Sequence, residues 1–144
     1  MGKLTYVRMH SSDIDIPRLT EVYASDEIAR YLCIGEGYFR YVTSNDSIYF
    51  YKVYEGEELI GTAHLELQSD VLYIGILVLP EFQKRGLGTR IVRDIQNDIF
   101  GLGYKSIEIA VDERNPASLR LFMGAGFAFV SKEDGLMNFS YARE

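Results

Sequence analysis

The chain has 144 residues and a formal net charge of −6, and 47% of its residues are hydrophobic and 25% are charged. These values are typical of a globular protein with an ordinary hydrophobic core, so we expect a single domain over residues 1–144. The acidic charge argues against nucleic-acid binding, which needs a basic face, and it is compatible with a cationic or amine substrate. The apolar runs fall well short of the roughly eighteen residues that a membrane span needs.

The cysteine content and the amino terminus favour a cytoplasmic protein. Cys33 is the only cysteine, which excludes an intrachain disulfide and fits a reducing compartment. The first residues lack the apolar core of a signal peptide. A lone cysteine in an apolar context is usually a small buried hydrophobe, and without a Cys or His cluster we expect no metal site.

The first half of the chain predicts helices between a first strand and an antiparallel group of strands. Residues 35–41 contain two glycines and cannot be assigned from the pattern. The assignable elements are a strand over residues 3–9, helices over 13–24 and 25–32, and strands over 47–54, 59–68 and 71–78.

The second half alternates helices and strands. Leu87, Ile91, Ile95 and Ile99 recur every four residues and predict a helix with one apolar face, which a Gly-Leu-Gly sequence ends. A strand over residues 106–111, a helix over 116–125 and two strands around a turn at 133–135 follow. The order βααβββαβαββ predicts a mixed α/β (α+β) fold: a twisted, mostly antiparallel central sheet of about seven strands, flanked by about four helices.

The segment that joins the strand at residues 71–78 to the next helix carries a recognisable chemical function. The apolar strand stops at Pro80, and a basic loop then leads through Gly86 and Gly88 into the helix. The N-terminus of a helix attracts anions through its unpaired N–H groups and its dipole. Glycine allows a phosphate to approach the backbone. The segment therefore predicts a phosphate-binding loop.

Two familiar phosphate-binding loops do not match its spacing. A Walker loop ends in Gly-Lys-Ser/Thr, whereas Gly88 is followed by Thr89 and an arginine. A dinucleotide fingerprint has a third glycine where this chain has Ile91. Glu108 lies at the distance of that fingerprint's acidic residue, but it alternates with isoleucines and is interpreted as an outward-facing strand residue.

Two motifs together resemble the GNAT acetyltransferase superfamily. They are Gln83-x-x-Gly86-x-Gly88, and Asn115 to Phe122 followed by Gly126-Phe127. The first is similar to the coenzyme A loop of that family, and the second to its asparagine-led helix. The resemblance extends from about residue 71 to residue 127. It implies the GNAT fold, with the element order given above, and acetyl-coenzyme A as the acyl donor.

The resemblance also implies which residues hold the cofactor. The strand before the loop, with Gly75 as its bend, would pair its backbone with the pantetheine arm, and the loop amides would hold the pyrophosphate. Asn115 would hydrogen-bond the pantetheine, although Asn before Pro is also a common helix cap and that role stays open. The residues implied are Ile76, Leu77, Val78, Gln83, Lys84, Arg85, Gly86, Leu87, Gly88, Thr89, Asn115 and Ser118.

The usual catalytic positions of the family hold residues that cannot donate or accept a proton. Phe122 stands where many members have a tyrosine as the acid. Leu72 and Ile74 stand where many have a glutamate or histidine as the base, and Ala110 occupies the position of another subgroup's glutamate. The resemblance therefore leaves the acid and the base unassigned.

Glu66 is the candidate catalytic residue. It alternates with apolar neighbours, so Thr62, His64, Glu66 and Gln68 share one face of their strand. If the following turn has two residues, Glu66 lies beside Tyr73, and a longer turn reverses the face. A solvated polar face is the competing interpretation of Glu66 and His64. Weaker candidates, in the segment that shapes the acceptor pocket in the family, are Tyr31, Glu36 and Tyr38.

The main hypothesis is an N-acetyltransferase that passes an acetyl group from acetyl-coenzyme A directly to an amine acceptor in a ternary complex. The alternative, favoured by the empty catalytic positions, is an acyl-CoA-binding regulatory or interaction module with little or no turnover. A domain that binds another nucleotide is a third interpretation. The expected partner is a small-molecule or peptide amine, with no nucleic acid and no membrane, and homodimers are common among relatives.

Overall fold

The computed structural model describes residues 3–32 and 34–143, so the interpretation of Cys33 lies outside the described residues. Segments rich in β-branched and aromatic residues form seven strands, as their propensities predict. The strands are β1 Leu4–Arg8, β2 Ile48–Glu55, β3 Glu58–Gln68, β4 Val71–Val78, β5 Ser106–Asp112, β6 Ala128–Glu133 and β7 Leu136–Ala142.

The helices number one more than the sequence pattern predicted. They are α1 Ile16–Ala24, α2 Asp26–Ala29, α3 Tyr38–Thr43, α4 Leu87–Gln96 and α5 Pro116–Gly124, and a 3₁₀ turn spans Pro80–Phe82. The additional helix, α3, begins inside the segment that could not be assigned. Gly37 has a left-handed φ of 82° and turns the chain into α3. No helix in the described part of the chain is long and apolar enough to cross a membrane.

All seven strands form one sheet in the order β1-β2-β3-β4-β5-β7-β6. The neighbours β4 and β5 run parallel, and the other neighbours are antiparallel. The predicted mixed, mostly antiparallel sheet is confirmed. Gln68 pairs with Val71, so the β3–β4 turn has two residues and Glu66 lies opposite Tyr73.

The sheet is covered on both faces, and each face has its own apolar cluster. Burying each large apolar side chain stabilises the fold by roughly 1.5–3 kcal/mol, so both clusters hold the sheet in place. One cluster joins residues of α4 and α5 to strand residues, and it includes Leu65, Leu72, Ile91, Ile95 and Phe122. The other cluster joins residues of α1, α2 and α3 to strand residues, and it includes Leu19, Tyr23, Phe39, Phe50 and Leu77.

The apolar face of α4 is one turn shorter than its sequence pattern. Leu87, Ile91 and Ile95 are buried, but Ile99 is 52% exposed and lies beyond the last helical residue. The chain leaves the helix because Asp98 takes a left-handed φ of 50° and accepts hydrogen bonds from the backbone N–H groups of Leu102 and Gly103. A short side chain that bonds its own backbone competes with the helix in this way.

The two parallel strands separate after three residue pairs. Val71–Tyr73 pair with Ser106–Glu108, and beyond them β4 stays with β3 while β5 stays with β7. Gly61 on β3 helps to hold β4 to this path, because a Cβ there would lie 2.2 Å from the carbonyl oxygen of Leu77. The separation opens a gap in the sheet between the carboxyl ends of β4 and β5.

Candidate acyl-transfer site

The loop after β4 forms an open cradle at the start of α4. Lys84 and Gly86 both take left-handed backbone conformations, with φ of 66° and 76°. Gly86 is the N-cap of α4, and no atom lies within 4 Å of the place where its Cβ would stand. Residues 84–86 are exposed, and the unpaired N–H groups of the first helical turn carry the positive end of the helix dipole. This arrangement suits a phosphate group.

The second glycine of the loop has a packing role. A Cβ at Gly88 would lie 3.3 Å from Cδ2 of Leu121, so the missing side chain lets α4 approach α5. Leu87 is buried with the apolar face of α4, whereas Lys84, Arg85 and Thr89 are exposed. Arg85 places its guanidinium 5.4 Å over the ring of Phe82, and Gln83 donates from Nε2 to the carbonyl oxygen of Val78 at 3.0 Å.

The edge of β4 presents backbone groups to the gap. Leu79 N donates to Ile60 O at 2.8 Å, and the β3–β4 register continues without irregularity. Because hydrogen-bonded and non-hydrogen-bonded residues alternate along an antiparallel strand, Leu77 bonds to β3 while Ile76 and Val78 turn their N–H and C=O groups to the gap. An extended, amide-containing ligand arm could pair there as a short additional strand.

Asn115 begins α5 on the opposite side of the gap. Its Oδ1 accepts from Ser118 N at 3.3 Å, and its Nδ2 donates to Ser118 Oγ at 3.0 Å. Asn115 thus caps the helix, which was one of the two roles left open by the sequence. The cap holds the side chain, with Ser118, at the start of the helix that follows β5.

Three of the four positions that lack a catalytic residue lie in the hydrophobic interior, and the fourth is exposed. Phe122 is 3% exposed and packs edge to face against Phe127, with ring centres 5.2 Å apart. Leu72 and Ile74 are buried in the same cluster. Ala110 is exposed and lines a small cavity of about 280 Å³ at the point where β4 and β5 separate, together with Tyr73, Ile74, Glu108, Ile109 and Asn138.

Glu66 belongs to a chain of hydrogen bonds on the face covered by α3. Tyr38 Oη lies 2.8 Å from His64 Nδ1, and His64 Nε2 lies 3.3 Å from Glu66 Oε1. Tyr41 donates to the same carboxylate oxygen at 3.1 Å, and Gln68 donates to the other at 2.8 Å. Sequence reasoning named Glu66, His64 and Tyr38 separately. It did not show that they touch, because α3 lies far from β3 in the chain.

The surroundings of Glu66, His64 and Tyr38 determine which of the three is ionised. Burial disfavours an ionised Glu66, but hydrogen bonds from Gln68, His64 and Tyr41 outweigh it and hold the pKa of that carboxyl below its ordinary value. Burial also lowers the pKa of His64, against the opposing effect of Glu66, so the imidazole is neutral at pH 7. Burial, with nearby Tyr23 and Glu66, raises the pKa of Tyr38. The ground state is an ionised glutamate, a neutral histidine and a neutral tyrosine.

One row of polar side chains crosses the sheet at the edge of the gap. Glu66, Tyr73, Glu108 and Ser140 are paired in sequence across β3, β4, β5 and β7. Directly paired residues point to the same face, so Glu108 lies on the face of Glu66. The interpretation of Glu108 as a residue pointing away from the core holds, but this row places it at the mouth of the gap.

Arg114 connects the two sides of this region. Its guanidinium donates to both carboxylate oxygens of Asp112, at 3.0 and 2.8 Å, and to the carbonyl oxygen of Arg30 at 3.0 Å. The segment after α2 is thereby attached to the loop that leads to Asn115. In the part of the chain that the structure describes, no group of three or more His, Cys, Asp or Glu residues could hold a metal ion.

Comparison with known proteins shows which family model this sequence matches and which solved structures share its fold. The model of the acetyltransferase (GNAT) family matches residues 14–127. No curated protein matches this chain closely enough to count as a relative. Solved structures of the same fold are numerous, and they include proteins that were crystallised with coenzyme A.

Three of these solved structures illustrate the likeness. A domain from Methanocaldococcus jannaschii has 19% identity and a TM-score of 0.84, with 99% of each chain covered. The aminoglycoside acetyltransferase AAC(6')-Ib in complex with coenzyme A and kanamycin has 22% identity and a TM-score of 0.79, over 98% of this chain and 95% of that one. Spermidine N-acetyltransferase from Vibrio cholerae, with CoA and spermine, has 16% identity and a TM-score of 0.81, over 97% and 95%. At these identities the likeness is one of fold.

Proposed function

We propose, because this chain belongs to the acetyltransferase (GNAT) family, that it transfers an acetyl group from acetyl-coenzyme A to an amine acceptor. The observation that carries the proposal is the parting of β4 from β5 directly before an open loop at the start of α4. A strand edge whose backbone groups point to the gap lies in line with a helix N-terminus, as a cofactor with an amide-rich arm and a pyrophosphate requires.

The residues around the gap fit this cofactor. The open space in front of Gly86 and the amides from Lys84 to Thr89 would take the pyrophosphate, and the edge groups of Ile76 and Val78 would pair with the pantetheine. Asn115, with Ser118, would bond the same arm from the other side. When bound, acetyl-coenzyme A supplies an activated thioester. A main-chain N–H of this edge that the pantetheine leaves unpaired is proposed as the donor to the thioester carbonyl oxygen as negative charge develops there.

Glu66 is proposed as the ionised end of the group that removes the proton from the acceptor amine. An alkylammonium group is charged at pH 7 and must lose a proton before its nitrogen can attack. The ionised carboxylate of Glu66 lies on the face of the sheet that α3 covers, in the row of polar side chains at the edge of the gap. It is two residues from His64 and opposite Tyr73. A base contributes about 10²–10⁴-fold to such a step, and placing the amine beside the thioester contributes more.

The acceptor is proposed to be a small-molecule or peptide amine that enters on the α2–α3 side. Two of the solved structures of this fold are named for amine substrates, an aminoglycoside antibiotic and spermidine. The acidic net charge and the glutamates near the gap, Glu66 and Glu108, favour a cationic acceptor.

We propose direct transfer of the acetyl group in a ternary complex. Intersecting lines in initial-velocity plots are then expected, and parallel lines would indicate an acyl-enzyme.

A second candidate is an acyl-CoA-binding regulatory or interaction module. The burial of Phe122, Leu72 and Ile74 favours it, because these positions lack the usual acid and base. Thiol release with a panel of amines separates the two functions. Turnover that falls when Glu66 is replaced supports the enzyme, whereas tight binding without turnover on any acceptor supports the module.

The first experiment is a calorimetric titration of the purified protein with acetyl-coenzyme A. Micromolar binding that ATP and NAD do not displace is the expected result. Absence of binding at millimolar cofactor would overturn both candidate functions. Displacement by ATP or NAD would show that the loop holds another nucleotide.

A further inference from the structure

We propose that Tyr38 is the residue that takes the proton from the acceptor amine, and that His64 and Glu66 position and polarise its hydroxyl. The inference rests on the proposed acetyl transfer. It names a proton acceptor for this reaction, because the positions where the family usually has an acid or a base hold other residues here. Three side chains form one continuous chain, with 2.8 Å between Tyr38 Oη and His64 Nδ1 and 3.3 Å between His64 Nε2 and Glu66 Oε1.

The charge of Glu66 determines the direction of every hydrogen bond in this chain. An ionised carboxylate can only accept hydrogen bonds, so His64 must donate to it from Nε2. The neutral imidazole then has no proton on Nδ1, and this nitrogen accepts from the hydroxyl of Tyr38. The oxygen of Tyr38 therefore keeps its lone pairs available for a new proton, while its own proton is already directed at a base.

The hydrogen-bonded side chains of Tyr38, His64 and Glu66 lie where the two substrates are expected to meet. His64 pairs with Gly75, the first residue of that face of β4 beyond the last β4–β5 pair. Gly75 has no side chain, and its virtual Cβ meets only the Cβ of His64, at 3.7 Å, so β4 is open at this point. Tyr38 is partly exposed, and the rings of Phe39 and Phe50 support it at 5.3 and 5.9 Å.

The proton balance of the step is complete. One proton of the ammonium group passes to Tyr38 Oη as the hydroxyl proton of Tyr38 passes to His64 Nδ1, which leaves an imidazolium beside the Glu66 carboxylate. The freed nitrogen lone pair forms the C–N bond, and the C–S bond of the thioester breaks with its electron pair on sulfur. A second proton of the nitrogen goes to that sulfur. The imidazolium later returns its proton to solvent by the reverse path.

The groups around His64 make the chain sensitive to acid. Tyr38 of α3 and Glu66 of β3 are hydrogen-bonded to His64, and Tyr41 of α3 bonds the same carboxylate of Glu66. The apolar ring of Phe50 contacts His64 from β2, and Gly75 lies beside it on β4 without a side chain. Tyr73 follows beside Glu66 on β4. Protonation of His64 removes the acceptor on Nδ1, so kcat is expected to fall on the acid side. The fall should come below the ordinary histidine value of 6.5, because burial lowers the pKa of His64.

The kinetic test compares two tyrosines of the same helix. Tyr38→Phe should lower kcat by about 10²–10³-fold without changing the dissociation constant of acetyl-coenzyme A. Tyr41→Phe is the matched comparison, because it removes a hydroxyl bonded to the same carboxylate but not to His64, and it should lower kcat far less than Tyr38→Phe does. His64→Gln should lower kcat and remove its acid limb. Equal effects of the two tyrosine variants, or an acid limb that survives in His64→Gln, would overturn the proposal.

A second readout needs no acceptor and no turnover. The sequence contains two histidines, so ¹⁵N imidazole shifts can be assigned with a His10→Gln variant. Cofactor-free protein should show His64 neutral at pH 7 with its proton on Nε2, and Tyr38→Phe should shift the Nδ1 signal. A proton on Nδ1 would overturn the proposal, because Tyr38 would then accept rather than donate.

The two readouts separate this inference from the proposed function. If the protein binds acetyl-coenzyme A but acetylates no amine, the proposed acyl transfer fails. The imidazole spectra still decide whether Tyr38, His64 and Glu66 are hydrogen-bonded in the proposed directions. If turnover is present and Tyr38→Phe retains it in full, the transfer stands and the role of Tyr38 is wrong.

Discussion

Gly86 combines two requirements at one residue: a left-handed φ of 76° and a clear approach to the first turn of α4. Gly86→Val should abolish measurable binding of acetyl-coenzyme A, because the side chain would occupy the space proposed for the pyrophosphate. The left-handed backbone itself costs about 1–2 kcal/mol with any side chain. Isothermal titration measures the binding, and thermal unfolding measures the cost.

Gly103 offers the matched control for that substitution. It has a φ of 71° and no atom within 4 Å of a virtual Cβ, but it lies before β5, at the opposite end of this strand from the gap. Gly103→Val should therefore lose comparable stability and keep cofactor binding. Equal binding by the two variants would show that the phosphates lie elsewhere.

Asn115 can lose its proposed ligand contact and still start the helix. Asn115→Asp keeps an oxygen for the N–H of Ser118 and adds a charge that the helix N-terminus favours, so stability should be unchanged or slightly higher. The variant lacks the amide donor and should bind acetyl-coenzyme A more weakly, by about tenfold if one hydrogen bond is lost. Unchanged affinity in the titration would assign Asn115 to capping alone.

At the scale of elements, the path of β4 depends on one close approach. Gly61→Ala should destabilise the protein by about 1–3 kcal/mol, because its Cβ would meet the Leu77 carbonyl at 2.2 Å and push β4 away from β3. Gly75→Ala is the control, since its new Cβ has an ordinary contact at 3.7 Å. Urea unfolding of both variants measures the difference, and similar losses would contradict the steric argument.

Elements with a regular pattern could be predicted from the sequence. Leu87, Ile91 and Ile95 predicted α4, and alternation predicted β3 and its polar face. The register needed one further fact, the two-residue turn that sets Glu66 opposite Tyr73. α3 could not be assigned because a six-residue helix after two glycines has too few residues for a periodic pattern.

The candidate site was predictable where it depends on local chemistry. The proposed phosphate loop is contiguous in sequence, and it lies at the start of α4 as its glycines predicted. The contact between Tyr38 and His64 joins a helix to a strand 26 residues away, and only the packing of α3 on the sheet creates it. Ile99 shows the opposite error, since its spacing continued the apolar pattern of α4 while the backbone had already left the helix.

At the scale of the whole molecule, Asp98 joins the end of α4 to the carboxyl end of the chain. Its carboxylate accepts from Leu102 N, Gly103 N and Arg143 Nη1. Burial opposes ionisation, but these hydrogen bonds outweigh it and lower the pKa of Asp98. A carboxyl with a lowered pKa stabilises the folded state above its unfolded pKa, and this contribution is lost as the pH falls through the folded value.

Asp98→Asn should therefore cost about 1–2 kcal/mol at pH 7, and less at a pH below the lowered pKa of Asp98, where the aspartate is itself protonated. Asparagine tolerates the left-handed φ of 50°, so the substitution adds little strain. Urea unfolding at the two pH values gives the comparison. A difference that stays constant or grows in acid would show that the charge of Asp98 does not contribute.

The edge of β4 has a consequence for how freely this protein can change during evolution. Ile76 and Val78 meet the gap through N–H and C=O groups that nineteen amino acids share, and proline alone lacks the donor. The side chains at these positions can therefore vary as long as they suit the core. Under the proposed function, cofactor binding through main-chain groups constrains few side chains, so many different sequences could keep this binding edge.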